Sequence, residues 1–435
     1  MRDRDTATLN RVSLTGVLPR ASLDVAAAAE QVRPVCEDVR QRGAAAVREY
    51  TARFDGVDLE TTRVPPEALE AALSALDPAV ARALEEAARR ARLVHEAQLP
   101  PAEVATSPAG GLTVTARYVP VSRAGVYVPG GLVAYPSSVV MNVVPAQVAG
   151  VPSVAVASPP QADQGGLPHP AIMAACALLG VDEVHAVGGA QALAMFAYGT
   201  GDCAPADVIT GPGNVYVAAA KRLLGGVVGI DGENGPTEIA IIADHTADPA
   251  FVAADLIAQA EHDPLAACLL ITSDPGLPER TDAELARQLP TALNRERIET
   301  ALSGQSAYVL VRDVDAALAV SDAWAPEHLE VQTEDAGKVA TRVRNAGAVF
   351  AGPYSPVSLG DYLAGSNHVL PTGGTARHAP GLTVLPLLKL VNVIECARDG
   401  LATAAPYIDA LGGEEQLAAH VAAVRVRVPK GSENQ

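Results

Sequence analysis

Short valine-rich runs alternate with alanine-rich stretches along most of this chain, and this alternation constrains the fold more than any other feature. Residues 153-SVAVAS-158 precede 170-PAIMAACALLG-180, and 183-EVHAV-187 precedes 190-AQALAMFAYG-199. Alternating strands and helices are typical of a parallel sheet covered by helices on both faces. The rhythm begins near residue 112 and restarts at 237-TEIAIIAD-244. We therefore predict an α/β fold with two Rossmann-like parallel-sheet domains.

The sequence on either side of these domains has a different character. Residues 23–98 are rich in Ala, Glu and Arg with a period of about 3.6, which predicts helices, and the tail from about 381 is also predicted to be helical. We expect an N-terminal helical region packing with the second α/β domain, a first α/β domain, a second α/β domain and a C-terminal helical tail. The predicted bounds are 1–111, 112–234, 235–380 and 381–435.

The composition excludes several classes of partner. The chain has 435 residues, enough for two or three domains, and a formal net charge of −18, which argues against nucleic acid and against anionic membrane surfaces. Its 5 cysteines are scattered without a CxxC pair, which indicates reduced thiols. The start lacks the basic and apolar regions of a signal peptide. We expect a soluble, cytoplasmic protein.

One uncharged segment resembles a membrane span at first sight. Residues 124–162 contain no charged side chain, but prolines and glycines interrupt them, among them Pro129, Pro136, Pro145 and Gly150. No uninterrupted apolar stretch of about 20 residues remains. We therefore predict a buried βα region and no membrane segment.

Glycine-rich turns follow several of the predicted strands. They are 127-YVPGG-131, 187-VGGAQA-192 and 210-TGPGN-214. Ligands of α/β sheets are expected at the carboxyl ends of the strands, where backbone N–H groups and helix N-termini favour an anion. Tight turns need glycine in any fold, however, and the GxGxxG fingerprint is absent. The pattern alone does not predict a dinucleotide.

The stretch 255-DLIAQAEHDP-264 places two polar residues on a helix that otherwise looks buried. Asp248 and Pro249 are typical of an N-cap and a first helical residue, and Pro264 closes the segment. Gln259 and His262 are three residues apart and therefore share one face of the helix. The spacing predicts that the two side chains project together from its last turns.

Other polar residues come from separate parts of the chain. Glu327 and His328 are adjacent in 326-PEHLE-330 and could share proton transfer, although an isolated Glu-His pair is more often a surface pair. A long polar loop at 360–374 carries Asp361 and His368, and such loops usually serve function. Glu415 and His420 are predicted on one C-terminal helix, about 140° apart around its axis, so they should not point the same way.

Gln259, His262, Asp361 and His420 together offer imidazole, carboxylate and amide ligands that suit zinc. Each residue taken singly is more often structural. A zinc hydrolase, in which Glu327 activates a metal-bound water, remains an alternative. A metal-dependent binding protein without turnover is a second alternative.

These residues lie within motifs that resemble the histidinol dehydrogenase family. The resemblance runs from about 20 to 428 and is carried by 125-GVYVPGG-131, 188-GGAQALA-194, 211-GPGN-214, 235-GPTE-238, 259-QAEH-262, 326-PEHLE-330, 360-GDYLAGSNHVLPTGGTAR-377 and the pair Glu415 and His420. It implies an enzyme that oxidises L-histidinol through bound L-histidinal to L-histidine with two NAD in succession. An enzyme of this family acting on another amino alcohol is a third alternative.

The resemblance also implies roles for individual residues. Glu327 and His328 match the catalytic acid–base pair, and Tyr127, Gln191 and Asn214 match positions that contact NAD. One zinc per subunit is expected on Gln259, His262, Asp361 and His420. The substrate-binding positions are Thr237, Gln259, His262, Glu327, His328, Asp361, Glu415 and His420. The family often has serine where this chain has Thr237, which keeps the hydroxyl.

Quaternary structure follows from the same resemblance. A homodimer with shared active sites is expected, in which the C-terminal tail of each chain reaches the site of its partner. That arrangement would explain why Glu415 and His420 need not share a face with any other site residue of their own chain.

Overall fold

The computed structural model describes residues 17–20, 25–130, 134–232 and 235–428. They form two units, the first built from residues up to 98 and from 122–387, the second from 99–121 and from 388 onward. Within the described residues, no helix combines the length and the hydropathy needed to cross a membrane.

The helices of both units are, in chain order, α1 (Val25–Arg42), α2 (Ala44–Asp55), α3 (Pro66–Ala75), α4 (Pro78–Ala97), α5 (Pro136–Val148), α6 (Pro170–Leu178), α7 (Gly189–Tyr198), α8 (Val215–Leu224), α9 (Pro249–Ala260), α10 (Leu277–Gln288), α11 (Arg295–Gln305), α12 (Val314–Trp324), α13 (Ala336–Ala340), α14 (Val357–Tyr362), α15 (Arg398–Glu414) and α16 (Ala418–Arg425). The strands are β1 (Glu103–Ala109), β2 (Leu112–Pro120), β3 (Ala124–Tyr127), β4 (Val154–Ser158), β5 (Glu183–Ala186), β6 (Val208–Thr210), β7 (Gly229–Ile230), β8 (Glu238–Ala243), β9 (Ala267–Thr272), β10 (Ser306–Leu310), β11 (His328–Gln332), β12 (Ala348–Ala351) and β13 (Leu388–Cys396).

The N-terminal region is helical, as its periodicity predicts, but its packing differs in part from the prediction. Val35 and Val39 of α1 lie in one apolar cluster with Leu193 and Phe196 of α7. The helices α3 and α4 share a second cluster with α5 and α6. The helices of this region therefore pack mainly on the first α/β domain. Contact with the second domain, as expected, comes from Arg20, which precedes them and pairs with Glu238 at 2.7 Å. The apolar stripes of these helices predict burial, but a stripe of alanine and valine does not specify which sheet it covers.

The first α/β domain contains a five-stranded sheet in the order β5-β4-β3-β6-β7. All neighbouring strands are parallel. The strands are short and mostly apolar, as expected where helices cover both faces of a parallel sheet, although β5 carries Glu183 and His185. This domain contains the uncharged segment, and its α5 is buried along most of its length.

The second α/β domain repeats this topology. Its sheet has the order β10-β9-β8-β11-β12, again with every pair parallel. Numbered from its own first strand, each sheet reads 3-2-1-4-5, which is part of the Rossmann order. The two Rossmann-like parallel-sheet domains predicted from the sequence are thus confirmed, and they share one strand order.

The second unit is a small α+β assembly. Strands β1 and β2 form an antiparallel hairpin, and β13 pairs antiparallel with β2. The predicted boundary at 111 lies in the turn of this hairpin, where Gly111 has a φ of 74°. The prediction of a wholly helical tail omitted β13, because 388–396 pairs with a strand more than 260 residues earlier in the chain. Helices α15 and α16 follow it.

Glu415 and His420 do not share one helix, contrary to the prediction. Helix α15 ends at Glu414 with Glu415 as its C-cap, and His420 lies in α16. Between them Gln416 takes a φ of 58°, and the Leu417 N–H donates to the carbonyl of Gly412 at 2.8 Å. The Gly412-Gly413 pair weakens helix continuation here. The 140° argument therefore does not apply to these residues.

Candidate active site

One cavity of about 1030 Å³ lies within the first unit, where both α/β domains contribute to its walls. From the first domain, turns that follow β3, β5 and β6 line it, so this sheet presents its carboxyl edge as predicted. From the second domain come Thr237, Glu327 and His328, which stand where β8 and β11 begin. The second sheet therefore faces this cavity with its amino edge, not with the carboxyl edge at which the sequence led us to expect a ligand.

Tyr127 is the last residue of β3 and is buried at the first wall. Its hydroxyl accepts the backbone N–H of Gly189, at the start of α7, at 3.2 Å. Burial raises the pKa of Tyr127 to about 12, so the phenol keeps its proton. Gly131, which ends the motif containing Tyr127, lies outside the described residues.

Asn214 and Gln191 lie at helix N-termini beside the same cavity. Asn214 is the N-cap of α8, and its Oδ1 accepts the N–H groups of Tyr216 at 3.0 Å and Val217 at 3.2 Å. A ligand contact would therefore use its amide nitrogen. The positive ends of α7 and α8 at this wall favour a negatively charged group.

Asp55 is a cavity residue that the sequence analysis did not identify. It ends α2, and its Oδ2 accepts a hydrogen bond from Gln191 Nε2 at 3.5 Å. Burial raises the pKa of Asp55 to about 6. Nothing in the local sequence distinguishes this aspartate from the surface acids of the neighbouring helices, because only the packing of α2 brings it to the cavity.

At the opposite wall, Glu327 and His328 are buried side by side. Glu327 Oε2 accepts the Thr237 hydroxyl at 2.6 Å and the Glu238 backbone N–H at 2.9 Å. Burial raises the pKa of Glu327 to about 8, although these hydrogen bonds favour its ionised form. His328 Nδ1 lies 3.1 Å from the Glu238 carbonyl oxygen, which assigns the Nδ1 proton and leaves Nε2 as the basic nitrogen. Burial lowers the pKa of His328.

The candidate metal ligands of the first unit are brought together beside this pair. His262 and Asp361 both line the cavity, with 3.8 Å between His262 Nε2 and Asp361 Oδ2. Gln259 is buried, and its Nε2 donates to the Thr237 hydroxyl. Its Oε1 is buried and accepts no hydrogen bond from any described residue. Gln259 lies in the last turn of α9, whereas His262 lies two residues beyond the end of the helix at Ala260, in a turn where its N–H donates to the Gln259 carbonyl at 3.3 Å. Both residues are therefore at the negative end of that helix.

His368 also lines the cavity, although the sequence analysis gave it no role beyond membership of a polar loop. Its Nδ1 lies 3.0 Å from the Asp361 carbonyl oxygen, and its Nε2 lies 3.3 Å from Ser138 Oγ. Through Ser138, at the start of α5, this imidazole links the two walls.

A buried network lies behind the second wall. Gln332 Nε2 donates to Asp255 Oδ2 at 3.2 Å and to Glu330 Oε2 at 3.1 Å. Glu330 Oε1 accepts the N–H of Val357 at 3.0 Å. Burial and the neighbouring Asp255 raise the pKa of Glu330 well above its ordinary value. The network joins α9, β11 and α14, which are the elements that carry Gln259, His328 and Asp361.

Another set of possible metal ligands lies at the amino edge of the first sheet. Among the residues that the structure describes, Glu183, His185 and Cys203 are grouped closely enough to hold an ion. Arg123 already pairs with Glu183 at 2.5 Å, and the His185 ring nitrogens contact Thr62 and Glu183. A guanidinium within the cluster opposes a cation, so we interpret this set as a structural ion pair.

The remaining predicted site residues, Glu415 and His420, belong to the second unit. Both are exposed. All the other predicted residues either line the cavity or, in the case of Gln259, contact a residue that does.

The fold and the site define an α/β protein in which the buried, adjacent side chains of Glu327 and His328 face a glycine-lined cleft. A family model described as Histidinol dehydrogenase matches residues 18–428. The histidinol dehydrogenase of Thermobifida fusca is 61% identical over 432 residues, with 98% of each chain covered. That of Mycobacterium tuberculosis is 57% identical over 427 residues, covering 97% of this chain and 96% of the relative.

A solved structure agrees with these relatives. The crystal structure of histidinol dehydrogenase from Elizabethkingia anophelis superimposes with a TM-score of 0.90 at 31% identity, and 96% of each chain is covered. The chain belongs to the histidinol dehydrogenase family and is an oxidoreductase.

Proposed function

We propose that this protein catalyses the last two steps of histidine biosynthesis, the NAD-dependent oxidation of L-histidinol through bound L-histidinal to L-histidine. The observation that carries the proposal is the buried Glu327–His328 pair, which faces the N-termini of α7 and α8 across one cavity. The reaction needs a proton acceptor and an activated water at one wall and a nicotinamide cofactor at the other. The cavity, at about 1030 Å³, has room for cofactor and substrate together.

Tyr127, Gln191 and Asn214 would hold NAD at the first wall. Two helix N-termini and the glycine turns favour its phosphates, and the buried Tyr127 contributes a flat apolar surface with a polar end. When bound, NAD supplies the hydride acceptor for each oxidation. The wall's contribution is to orient it and to exclude water.

The residues of the second wall fit a zinc ion. Gln259 Oε1 is buried without a hydrogen-bond donor among the described residues, and an unsatisfied buried carbonyl is costly unless a ligand completes it. The His262 imidazole and the Asp361 carboxylate add nitrogen and oxygen donors of the kind zinc prefers. These three residues, with His420, would hold the ion. When bound, zinc supplies an anchor for the nitrogen atoms of the substrate.

Thr237 orients this ligand set. Its hydroxyl accepts from Gln259 Nε2 and donates to Glu327, so the amide nitrogen of Gln259 is engaged and the oxygen is left for the metal. Both serine and threonine carry that hydroxyl, which explains why threonine is compatible at this position.

The acid–base roles follow from the geometry of the pair. Burial lowers the pKa of His328, which favours the neutral imidazole that can take the alcohol proton while hydride leaves the same carbon. The second oxidation begins with addition of water to the aldehyde. Glu327 can take a proton from that water when it is ionised. Its pKa of about 8 makes the carboxylate the minor form at neutral pH, and the Thr237 hydroxyl and the Glu238 N–H stabilise that form. Thr237, Gln259, His262 and Asp361 surround the position where the substrate would be held.

We further infer a homodimer with shared sites, in which Glu415 and His420 of one chain complete the site of the other. The second unit exposes Ile394, Tyr407, Leu411 and Val426 at 68%, 72%, 67% and 76%. Large apolar side chains exposed in this density mark an interaction surface.

We also propose a cytoplasmic location, because the five cysteines are unpaired and the composition is acidic.

The function is tested by incubating the purified protein with L-histidinol and NAD and following NADH. We expect two NADH per histidine formed. A zinc hydrolase or a binding protein without turnover would form none, and a related amino alcohol oxidised much faster than histidinol would favour the third alternative.

The shared site is tested by mixing His420→Ala and His328→Ala proteins after reversible dissociation. If sites are shared, each mixed dimer has one site with both lesions and one with neither, and activity returns to about half per mixed dimer. Mixed dimers without activity would contradict the arrangement.

A further inference from the structure

The backbone of Gly211 is bound on both sides by one buried ion pair. Asp231 Oδ2 accepts the Gly211 N–H at 2.8 Å. Lys221 Nζ donates to the Gly211 carbonyl oxygen and to Asp231 Oδ1, each at 2.5 Å. Lys221 lies in α8 and Asp231 follows β7, so one peptide is connected to two other elements. We call these three residues the Gly211 clamp.

Burial of the clamp is nearly complete. The side chains of Lys221 and Asp231 are 1% and 2% exposed. A buried ion pair loses about as much in desolvation as it gains in attraction, so it is weak evidence for stability. Placing charges here at that cost suggests that their value lies in fixing a geometry.

Gly211 itself can provide no side chain for anchoring. Its φ is 118°, and a Cβ at this position would lie 1.9 Å from the carbonyl oxygen of Tyr127. The glycine is needed so that the turn can approach the end of β3 this closely. Only the peptide groups of Gly211 remain to hold the turn, and the clamp binds both of them.

The clamped turn is continuous with the cavity. Pro212, Gly213 and Asn214 follow directly and line it. Tyr127, against which Gly211 packs, accepts the N–H of Gly189. The position of Gly211 therefore determines how the turns after β3, β5 and β6 are placed relative to one another.

We propose that Lys221 and Asp231 are positioning residues for the nicotinamide cofactor, acting through Gly211 on the 211-GPGN-214 turn. This inference rests on the proposed function. Neither side chain is among the cavity-lining residues. They act by holding the turn in its binding conformation before the ligand arrives, which lowers the ordering cost of binding.

The test compares Asp231→Asn and Lys221→Met with a matched control, Glu183→Gln. The control breaks another ion pair in the same domain, Arg123 with Glu183, at the opposite edge of the same sheet. We expect each clamp variant to raise the KM for NAD about tenfold, with the KM for histidinol within about twofold of wild type. The KM for NAD of the double variant should be close to that of the more strongly affected single variant, because Lys221 and Asp231 together hold Gly211. Glu183→Gln should lower the Tm but leave the KM for NAD within about twofold.

The proposal fails if the clamp variants keep the wild-type KM for NAD, or if Glu183→Gln raises it equally. Wild-type protein that forms no NADH would contradict the proposed function instead, and NAD binding by calorimetry would then compare the same variants.

Hydrogen exchange of the wild-type protein gives a second measurement if the variants do not fold. The clamp predicts that the Gly211 amide is protected as strongly as the β6 amides before any NAD is added. Exchange at the rate of an open turn would overturn it.

Discussion

The two α/β domains share one strand order but use opposite edges of their sheets. The first presents the carboxyl edge, where α7 and α8 begin after glycine-rich turns. The second presents the amino edge, where α9 ends beside Gln259 and His262. Helix N-termini favour anions and helix C-termini favour cations. The same topology therefore offers an edge that suits the proposed phosphate contacts in one domain and an edge that suits the proposed metal in the other.

The two walls also differ in what supports them. The first wall is held by backbone groups bound to a buried ion pair, Lys221 with Asp231. The second is held by side chains bound to buried carboxyl groups, Glu330 and Asp255, with Gln332 between them. A backbone turn that cradles a ligand needs its peptides fixed, whereas a ligand set on three elements needs those elements tied together. Fold alone does not predict this division, because function depends on the site built on the fold.

Metal removal should show the largest difference between the two walls, because it should abolish the role of the second wall and leave NAD binding at the first. Treatment with a chelator is expected to lower NADH formation about a thousandfold or more, because the substrate loses its anchor, and added zinc should restore it. NAD binding measured by calorimetry should change by less than about threefold, since the NAD wall contains none of the proposed ligands. Full activity in a sample shown to be free of metal would refute the metal assignment.

Substitutions of Glu327 and His328 should change the rates of the two oxidation steps differently. His328→Ala is expected to slow both about a thousandfold, and Glu327→Gln to slow mainly the aldehyde-to-acid step by about a hundredfold, because only that step needs an activated water. Each variant is assayed with histidinol and, separately, with histidinal. Equal losses on both substrates for Glu327→Gln would contradict this assignment.

Substitution of Glu330, in the network behind the second wall, should have a smaller effect on zinc affinity and stability. Glu330→Ala leaves the buried Val357 N–H without its acceptor and removes one of the two acceptors of the Gln332 amide, the other being Asp255. It should destabilise the protein by about 3 kcal/mol. It should also lower zinc affinity about tenfold, as loss of outer-shell partners does. The matched variant Glu330→Gln keeps an acceptor for Val357 and should retain zinc affinity within about threefold. Similar zinc affinities for both variants would show that the network does not position the ligands.

The smallest effect concerns pH and the first wall. Burial raises the pKa of Asp55 to about 6, above the value of about 3.9 for an unfolded chain. Between these pH values the native state binds more protons than the unfolded state, so its free energy of unfolding falls as pH rises. Asp55→Asn has no charge to bury. In metal-free protein, its stability advantage over wild type should grow from pH 4 to pH 6 and then stay constant, measured by urea unfolding. A difference independent of pH would contradict the raised pKa.

Much of the architecture could be predicted because its signals are local. The alternation of valine-rich and alanine-rich segments determined the two parallel-sheet domains, and Asp248 with Pro249 determined where α9 begins. Asp248 caps that helix by accepting the Ala250 N–H at 2.8 Å. The three-residue spacing of Gln259 and His262 likewise determined that they lie in one turn. Such patterns depend only on residues that are close together in the sequence, so they can be predicted from it.

Individual site roles came from the family motifs, and their arrangement came only from the tertiary structure. Strand β13 exists because 388–396 pairs with β2 across most of the chain, and Asp55 reaches the cavity only because α2 packs on the first domain.

The use of the amino edge by the second sheet is the clearest case. Both edges of a βαβ unit carry loops of similar composition, and which edge meets a cavity depends on how two distant sheets are placed within one unit. That placement results from many weak apolar contacts among alanine and valine side chains. None of these contacts is specific enough to be predicted from the sequence.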